Sequence, residues 1–275
     1  MKDRLIDIKV LQGISPIFKK WYGPVLAKCA IRLAGFDKVN RVYNAGKYLT
    51  GPAVEDAMLD NLGITRRVHN IETLRQLDGK PFITVSNHPY GHIDGIFLVG
   101  EITRIRKDFK VMVNWMLGMI DSMEAHFIGV NPYASSVSSR SSLGGIKQCL
   151  EHLKAGHALG FFPAGAVSKF DKNGLVHDQP WQERVLKLIV KAKVPVVPAY
   201  FSGHNSWFFN FLDRIDWRIR TVRLCHELDN KRGKTINLVF GQPIMPEEQA
   251  KYTNHADLGA FLTEKTYSLA SFCIQ

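Results

Sequence analysis

The residues best suited to chemistry lie in one short segment, residues 86–95, with the sequence SNHPYGHIDG. The segment follows an apolar run that predicts a strand and precedes a pattern typical of a helix, which is where α/β sheets place functional groups. His88 can accept a proton at one ring nitrogen if a carboxylate holds the other, and Asp94 is close enough in sequence to provide it. The pair predicts a general base that activates an attacking hydroxyl.

Two other interpretations of this segment stay open on spacing alone. Asp94 could simply cap the helix that follows. His92, with one residue between it and Asp94, competes with His88 for the role of base. We prefer His88 because it adjoins the end of the predicted strand, and because Gly91 permits the tight loop that would fold Asp94 back toward the imidazole.

Two further segments could contribute to a site. Residues 131–142 (NPYASSVSSRSS) precede a helix-like pattern and contain one cation, Arg140. Serine hydroxyls, N–H groups at a helix start and a guanidinium suit a phosphate or a carboxylate, although the same composition is typical of a flexible connection. Residues 161–168 (FFPAGAVS) run from an apolar stretch into a Pro and Gly turn, which on its own indicates only a strand end.

The elements that must position these segments alternate from residue 81 onward between apolar runs and helical patterns. Strands separated by helical crossovers are typical of the α/β class, so we predict a central, mostly parallel or mixed sheet flanked by helices. The β-like runs are residues 82–85, 110–113, 127–130, 158–162, 194–201 and 235–240, and a helical pattern covers residues 96–105.

The N-terminal part has a different pattern. Between residues 14 and 36, aromatic and aliphatic residues recur at helical spacing and four Lys and Arg residues interrupt them. These charges leave no apolar run long enough to span a bilayer, but they fit a helix in the membrane interface. A helix packed on its own domain fits equally well. The expected organisation is a helical, membrane-contacting extension over residues 1–70 and an α/β domain over residues 71–275.

Charge and cysteine content narrow the partners and the compartment. The chain carries 36 Lys and Arg against 25 Asp and Glu, a formal charge of +11, which favours a polyanionic neighbour. No nucleic-acid-binding motif is recognisable and the basic residues are scattered, so an anionic membrane is favoured over nucleic acid. The four cysteines lack metal or disulfide spacing and are expected to be buried thiols. With no recognisable signal peptide, a peripheral protein at the cytoplasmic face of a membrane is expected.

Four blocks occur in the order typical of glycerolipid acyltransferases, and the sequence resembles that family over residues 81–244. The blocks are NHPYGHID (87–94), FIGVNPYASSVSSR (127–140), FFPAGAVS (161–168) and VPVVPAYFSGHNS (194–206). Through HP-x-G-x-x-D-G, FPAG-x-VS, G-x-NS and ELDNKRGK (227–234), the sequence is most similar to the hemolysin-like branch, which is related to O-acyltransferases of ornithine and glycine aminolipids.

The resemblance implies an O-acyltransferase that moves a fatty acyl group from an acyl carrier protein or coenzyme A thioester to the hydroxyl of a lysolipid, with no metal or other cofactor. It implies His88 and Asp94 as the catalytic pair. Backbone N–H groups at the Gly165 turn would stabilise the tetrahedral oxyanion. The acceptor contacts that it implies are Arg140, Gly165, Ser168 and Lys169.

Several residues depart from the common family pattern. Five residues lie between His88 and Asp94, one more than in the common motif, while Ala164 replaces the usual Glu and Val167 a frequent Arg. Two explanations stay open: Arg140, Lys169 and serine hydroxyls hold a phosphate, or the acceptor carries an aminolipid head group. Two other classes of protein also stay open. One is a noncatalytic lipid-binding protein with a decayed site, and the other is a membrane-lytic protein, although the sequence has no recognisable pore-forming repeat to support it.

Overall fold

The computed structural model describes residues 4–114, 120–130 and 139–273. The helices in these ranges are α1 (Ile8–Ile14), α2 (Gly23–Leu33), α3 (Phe36–Gly46), α4 (Pro52–Asn61), α5 (Glu72–Arg75), α6 (His92–Thr103), α7 (Ser139–Lys154), α8 (Glu183–Ala192), α9 (Trp207–Leu212), α10 (Trp217–Glu227), α11 (Pro246–Gln249) and α12 (His255–Ser268). The strands are β1 (Thr65–His69), β2 (Ile83–Ser86), β3 (Lys110–Asn114), β4 (Phe127–Val130), β5 (Leu159–Phe161), β6 (Lys169–Phe170), β7 (Val176–His177), β8 (Val196–Phe201) and β9 (Thr235–Phe240).

The central sheet has the strand order β1-β9-β8-β2-β5-β3-β4 within the described ranges. Neighbouring strands run parallel except for β8 and β9, which are antiparallel. Each β-like run named from the sequence overlaps a strand, because strands of a parallel sheet are buried on both faces and therefore read as continuous apolar stretches. The short pair β6 and β7 forms a separate antiparallel ribbon.

Helices cover both faces of the sheet. Successive strand residues point to opposite faces. Val85 of β2 packs in a cluster with Ile189 of α8 and Leu262 of α12, whereas Val197 of β8 belongs to a second cluster with Met58 of α4. The predicted α/β class, a mostly parallel sheet flanked by helices, is confirmed.

The first 70 residues differ from the expected organisation at one point. Strand β1 lies inside the segment expected to be helical and pairs in register with β9. Tyr43 of α3 and Met58 of α4 also lie in the same hydrophobic cluster as Phe97 of α6, so residues on both sides of position 70 share one core. Hydrophobic periodicity misses β1 because TRRVH is a charged, half-exposed edge strand without an apolar run.

The segment 14–36 forms two helical pieces instead of one continuous helix. A 3₁₀ turn at Pro16–Lys19 precedes α2, and Gly35 ends the segment with a left-handed φ of 76°. Helix α2 buries Ala27 and Ile31, whereas Trp21, which precedes the helix, is 93% exposed. One face thus packs on the protein while aromatic and aliphatic side chains on the other face meet solvent. No helix in the described ranges is both long and apolar enough to cross a bilayer.

The prediction of buried thiols is confirmed for two cysteines and wrong for Cys29. Cys149 and Cys225 are buried, and burial raises the pKa of each thiol to about 12. Cys29 is exposed because it lies one turn from Val25 on the outward face of α2. Cys273 is partly exposed.

Candidate active site

Three of the segments singled out in the sequence meet at one edge of the sheet. Strand β2 lies between β5 and β8, and all three run parallel, so the loops after their carboxyl ends adjoin one another. The Ser168 N–H donates to the carbonyl of His88 at 2.9 Å. The side chain of Asn87 pairs with the main chain of Phe201, accepting at 2.7 Å and donating at 2.9 Å. These bonds tie the histidine loop to strand β8 and to the turn that follows β5.

The structure places His88 beside Asp94. Nδ1 of His88 lies 3.0 Å from Oδ2 of Asp94, whose side chain is fully buried. The same oxygen accepts the N–H groups of Tyr90 at 2.9 Å and Gly91 at 3.0 Å. Asp94 is the third residue of α6, so it caps the helix and faces the imidazole at once. The two roles that the sequence left as alternatives are filled by one carboxylate.

The orientation of the pair leaves one ring nitrogen for a substrate. The 3.0 Å contact between Nδ1 and Oδ2 is not aligned as a hydrogen bond, because the buried Nδ1 has no hydrogen-bond partner among the described residues. Catalytic hydrogen bonds commonly tighten only when substrate is bound. Nδ1 is buried while the imidazole as a whole is 19% exposed, so Nε2 is the nitrogen through which His88 can take up a proton.

Phe162 forms one wall beside the imidazole. Its ring centroid lies 4.2 Å from that of His88, with the two planes tilted by 31°. The main-chain N–H of His88 donates to Oδ1 of Asp178 at 3.1 Å. Packing on one side and hydrogen bonding at the backbone thus restrict the ring to a narrow range of positions.

His92 is a weaker candidate for the base. Burial, with a smaller contribution from the nearby His88, lowers the pKa of His92 to about 4. A group with so low a pKa is neutral but a poor proton acceptor near neutral pH, because general bases work best with a pKa close to the operating pH. The low pKa of His92 therefore leaves His88 as the candidate base.

Ser168 is held inside the protein. Its side chain is buried, and Oγ donates to Oδ1 of Asp178 at 2.5 Å. Burial raises the pKa of Asp178, and the hydrogen bonds from Ser168 and His88 oppose that rise. The Ser168 hydroxyl therefore supports the loop that carries His88, and its bond to Asp178 competes with any bond to an acceptor.

Lys169 is likewise engaged by a protein partner. Its Nζ lies 3.1 Å from Oδ2 of Asp213. The other carboxylate oxygen of Asp213, Oδ1, lies 3.5 Å from Nη1 of Arg220. Arg220 is buried and donates to the carbonyls of Val167 at 3.1 Å and Ser168 at 2.6 Å. This arginine, which the sequence did not single out, holds the turn after β5 from the side of α10.

Gly165 forms the left-handed corner of that turn. Its φ is 68°, and a Cβ built there would lie 1.8 Å from Nε2 of Gln182. The Gly165 N–H donates to the carbonyl of Phe162 at 2.9 Å. This N–H stabilises the turn itself, which leaves it a poor candidate for the oxyanion donor expected from the sequence.

Two further expectations concern residues beyond this group. Arg140 belongs to the first turn of α7, but its side chain lies outside the described residues, as does the structure of 131–138. The apolar residues considered for an acyl groove are divided. Met123 and Phe209 are buried in the core, Trp207 is exposed, and residues 115–119 lie outside the described ranges.

A buried ion pair lies next to the histidine loop. Sequence reasoning did not assign it to the site. Glu227 and Lys231 are both buried, with 3.2 Å between Oε2 and Nζ. Glu227 also accepts from the N–H and Oγ of Ser206, at 2.9 and 2.8 Å, and Nζ of Lys231 lies 5.2 Å from the ring centroid of Tyr90. Charged residues are expected at the surface. The only sequence signal was the ELDNKRGK resemblance.

Asn205 stands out beside this ion pair. It is almost fully buried, and neither its amide oxygen nor its amide nitrogen has a hydrogen-bond partner among the described residues. Buried amides are normally paired. Its position after β8 adds an unsatisfied polar side chain to the same edge of the sheet.

The sequence model of the family described as Acyltransferase matches residues 32–273. A lyso-glycine lipid O-acyltransferase of Bacteroides thetaiotaomicron is 27% identical over 274 residues, which are 96% of this chain and 97% of that protein. One of the same name in Phocaeicola vulgatus is 26% identical over 246 residues, 85% of this chain and 83% of that protein.

A solved structure shares the fold. The crystal structure of the 1-acyl-sn-glycerophosphate acyltransferase of Thermotoga maritima matches with a TM-score of 0.53 and 15% sequence identity. The match covers 98% of this chain and 95% of that chain. The likeness extends over both the helical N-terminal part and the sheet.

Proposed function

This chain belongs to the acyltransferase family, and we propose that it transfers a fatty acyl group from a thioester to the hydroxyl of a lysolipid whose head group is glycine. The observation that carries the reaction is the close contact of His88 with the buried Asp94 at the carboxyl end of β2. The acceptor is inferred from the two lyso-glycine lipid O-acyltransferases that resemble the chain over most of its length.

In the proposed mechanism the acceptor hydroxyl attacks the thioester directly. Nε2 of His88 removes the hydroxyl proton as the oxygen bonds to the carbonyl carbon, and the Asp94 carboxylate stabilises the imidazolium that forms. The tetrahedral intermediate then expels the thiolate of acyl carrier protein or coenzyme A, which takes the proton back from His88. The products are an ester and a free thiol, so the scheme needs no cofactor.

The polar residues around the turn favour an aminolipid over a phosphate acceptor. Ser168 and Lys169, which could have held a phosphate, are bonded to Asp178 and Asp213. Ala164 and Val167 supply no charge in their place. Arg140 remains our candidate for the acceptor contact, since a guanidinium binds a carboxylate as well as a phosphate. Gly165 contributes by shaping the turn.

We also propose that the protein works at the cytoplasmic face of an anionic membrane. The outward face of α2 carries exposed apolar residues, among them Val25 and Leu33, next to the exposed cations Lys28 and Arg32. Such a surface fits the interface between head groups and acyl chains. The lipid acceptor would then enter the site without leaving the membrane.

The experiment is acyl transfer by the purified protein. Radiolabelled acyl-carrier-protein and acyl-coenzyme A donors are each offered with lyso-glycine lipid or lysophosphatidic acid, alongside a His88→Ala variant. We expect ester formation with lyso-glycine lipid and a loss of about 10²- to 10⁴-fold in the variant. Preference for lysophosphatidic acid would overturn the acceptor, an active variant would overturn the base, and lipid binding without transfer would indicate a noncatalytic protein.

A further inference from the structure

Helices α9 and α10 present large apolar side chains to solvent beside the candidate site. The exposed members, called here the hairpin surface, are Trp207, Phe208, Ile215, Trp217, Ile219 and Val222. The opposite side of the hairpin is firmly packed, since Phe209 and Cys225 are buried. Six large apolar side chains exposed together on a firmly packed element are typical of an interaction surface.

Cations accompany the aromatic rings of the hairpin surface. The guanidinium of Arg218 lies 5.6 Å from the ring centroid of Trp217, and that of Arg223 lies 5.3 Å from that of Phe208. Two carboxylates lie nearby: Asp213 pairs with Lys169, and Asp216 caps α10 by accepting the N–H of Arg218. Apolar anchors with basic side chains at their rim are complementary to an anionic lipid surface.

The hairpin surface lies next to the histidine loop. Arg220 of α10 donates to the carbonyls of Val167 and Ser168, and the Leu224 side chain lies 3.0 Å from the position of a Cβ built on Gly91. The far end of α10 also meets α2, where Nε2 of His226 lies 2.9 Å from the carbonyl of Leu33. One helix therefore links the loop of His88 to the exposed end of α2.

We propose that the α9–α10 hairpin docks the protein on an anionic bilayer, with Trp207 and Trp217 seated among the head groups, so that the site opens at the lipid surface. The choice of a bilayer as the partner rests on the proposed function, because a lysolipid acceptor has to reach His88 from a membrane. This contact is additional to the one proposed for α2.

Vesicle binding tests the hairpin directly, with a matched control. Val222 on the hairpin and Val190 on α8 are equally exposed, at 46%. With phosphatidylcholine vesicles containing phosphatidylglycerol, Ile219→Ser/Val222→Ser should bind about tenfold more weakly, because binding scales with the apolar area inserted. Val190→Ser should bind as the parent does. Unchanged binding of the hairpin variant would overturn the proposal.

Tryptophan quenching by brominated lipids separates the hairpin from α2. Trp207→Phe/Trp217→Phe should lose the part of the quenchable fluorescence that the hairpin contributes, and Trp21→Phe the part contributed at α2. Quenching that is unchanged in Trp207→Phe/Trp217→Phe and lost in Trp21→Phe would assign membrane contact to α2 alone and overturn the proposal. Light scattering is the second check: a dimer that Ile219→Ser/Val222→Ser converts to a monomer would show that a second copy covers this surface instead.

Activity assays distinguish this proposal from the function itself. Ile219→Ser/Val222→Ser should acylate a short-chain, water-soluble lysolipid at the parental rate and a vesicle-embedded one more slowly. His88→Ala should bind vesicles normally. Vesicle binding that depends on the hairpin, without acyl transfer to either acceptor by the parent, would sink the proposed function and leave the docking surface standing. Equal slowing on both acceptors would overturn the docking role.

Discussion

Nδ1 of His88 lies 3.0 Å from Oδ2 of Asp94, and that same oxygen accepts the N–H groups of Tyr90 and Gly91. One carboxylate thus orients the candidate base and holds the first turn of α6. Removing the carboxylate of Asp94 would disturb both the orientation of His88 and the helix cap. The choice of substitution therefore has to separate the two roles.

Asp94→Asn and Asp94→Ala should separate them. An asparagine oxygen can still accept the N–H groups of Tyr90 and Gly91, so we expect stability close to that of the parent but acyl transfer reduced by about 10²- to 10⁴-fold, because the imidazolium loses its counter-charge. Asp94→Ala should lose, in addition, about 0.5–2 kcal/mol of stability with the cap. Urea unfolding and single-turnover transfer measure the two effects, and an active Asp94→Asn would remove Asp94 from the mechanism.

Gly165→Ala should lower the free energy of unfolding more than Gly174→Ala does. Both glycines have positive φ, 68° and 77°, but a Cβ at Gly165 meets Gln182 whereas at Gly174 it meets open space. The strained backbone alone should cost about 1–2 kcal/mol in each variant. We expect Gly165→Ala to lose further stability and to slow transfer, since the turn carries Phe162 against His88.

Gln182→Ala in the Gly165→Ala background provides the control. Removing the colliding amide should recover the part of the loss that exceeds that of Gly174→Ala, as measured by urea unfolding. Equal destabilisation by the two glycine substitutions would show that the turn tolerates the side chain by shifting.

Lys231→Met should destabilise the protein strongly. The substitution leaves the buried carboxylate of Glu227 with only the more distant Arg223, at 3.9 Å, as a cationic partner, and breaking a buried pair from one side typically costs about 3–5 kcal/mol. The double variant Glu227→Gln/Lys231→Met removes both charges and should be more stable than the single one. Thermal and urea unfolding report the difference, and a single variant as stable as the double would mean that Arg223 or solvent compensates the charge of Glu227.

Glu55 should make stability depend on pH. Burial raises its pKa from 4.5 to about 8, against the opposing effect of Arg66 and Arg104. Between these values the folded state holds a proton that the unfolded chain has released, so this contribution to stability is complete below pH 4.5 and is lost as the pH rises toward 8. The expected slope is up to about 1.4 kcal/mol per pH unit from this group.

Glu55→Gln, which mimics the protonated acid, tests that assignment. Its unfolding free energy, measured in urea from pH 5 to pH 8, should fall less steeply than that of the parent, so the variant gains relative stability as the pH rises. Parallel profiles for the two proteins would show that Glu55 titrates normally and that its environment is wetter than its burial against Gly100 suggests.

The sequence alone determined the α/β class and the position of the histidine loop. Buried parallel strands are continuous apolar runs that any hydropathy pattern detects, as at the neighbouring strands β2 and β8. His88 and Asp94 are close in the chain, so a strand end, a glycine and a helix start were enough to suggest their contact. The charged strand β1 escaped detection because an edge strand needs little apolar surface.

The tertiary structure alone decided which polar side chains are available to a substrate. Ser168 and Lys169 looked free in the sequence, but Asp178 and Asp213 engage them. The burial of the Glu227–Lys231 pair next to Tyr90 was not detected either. Residue type states what a side chain can bond to. Which partner it meets depends on the order of strands β8, β2 and β5 and on the packing of α10, contacts between residues far apart in the chain that no local pattern encodes.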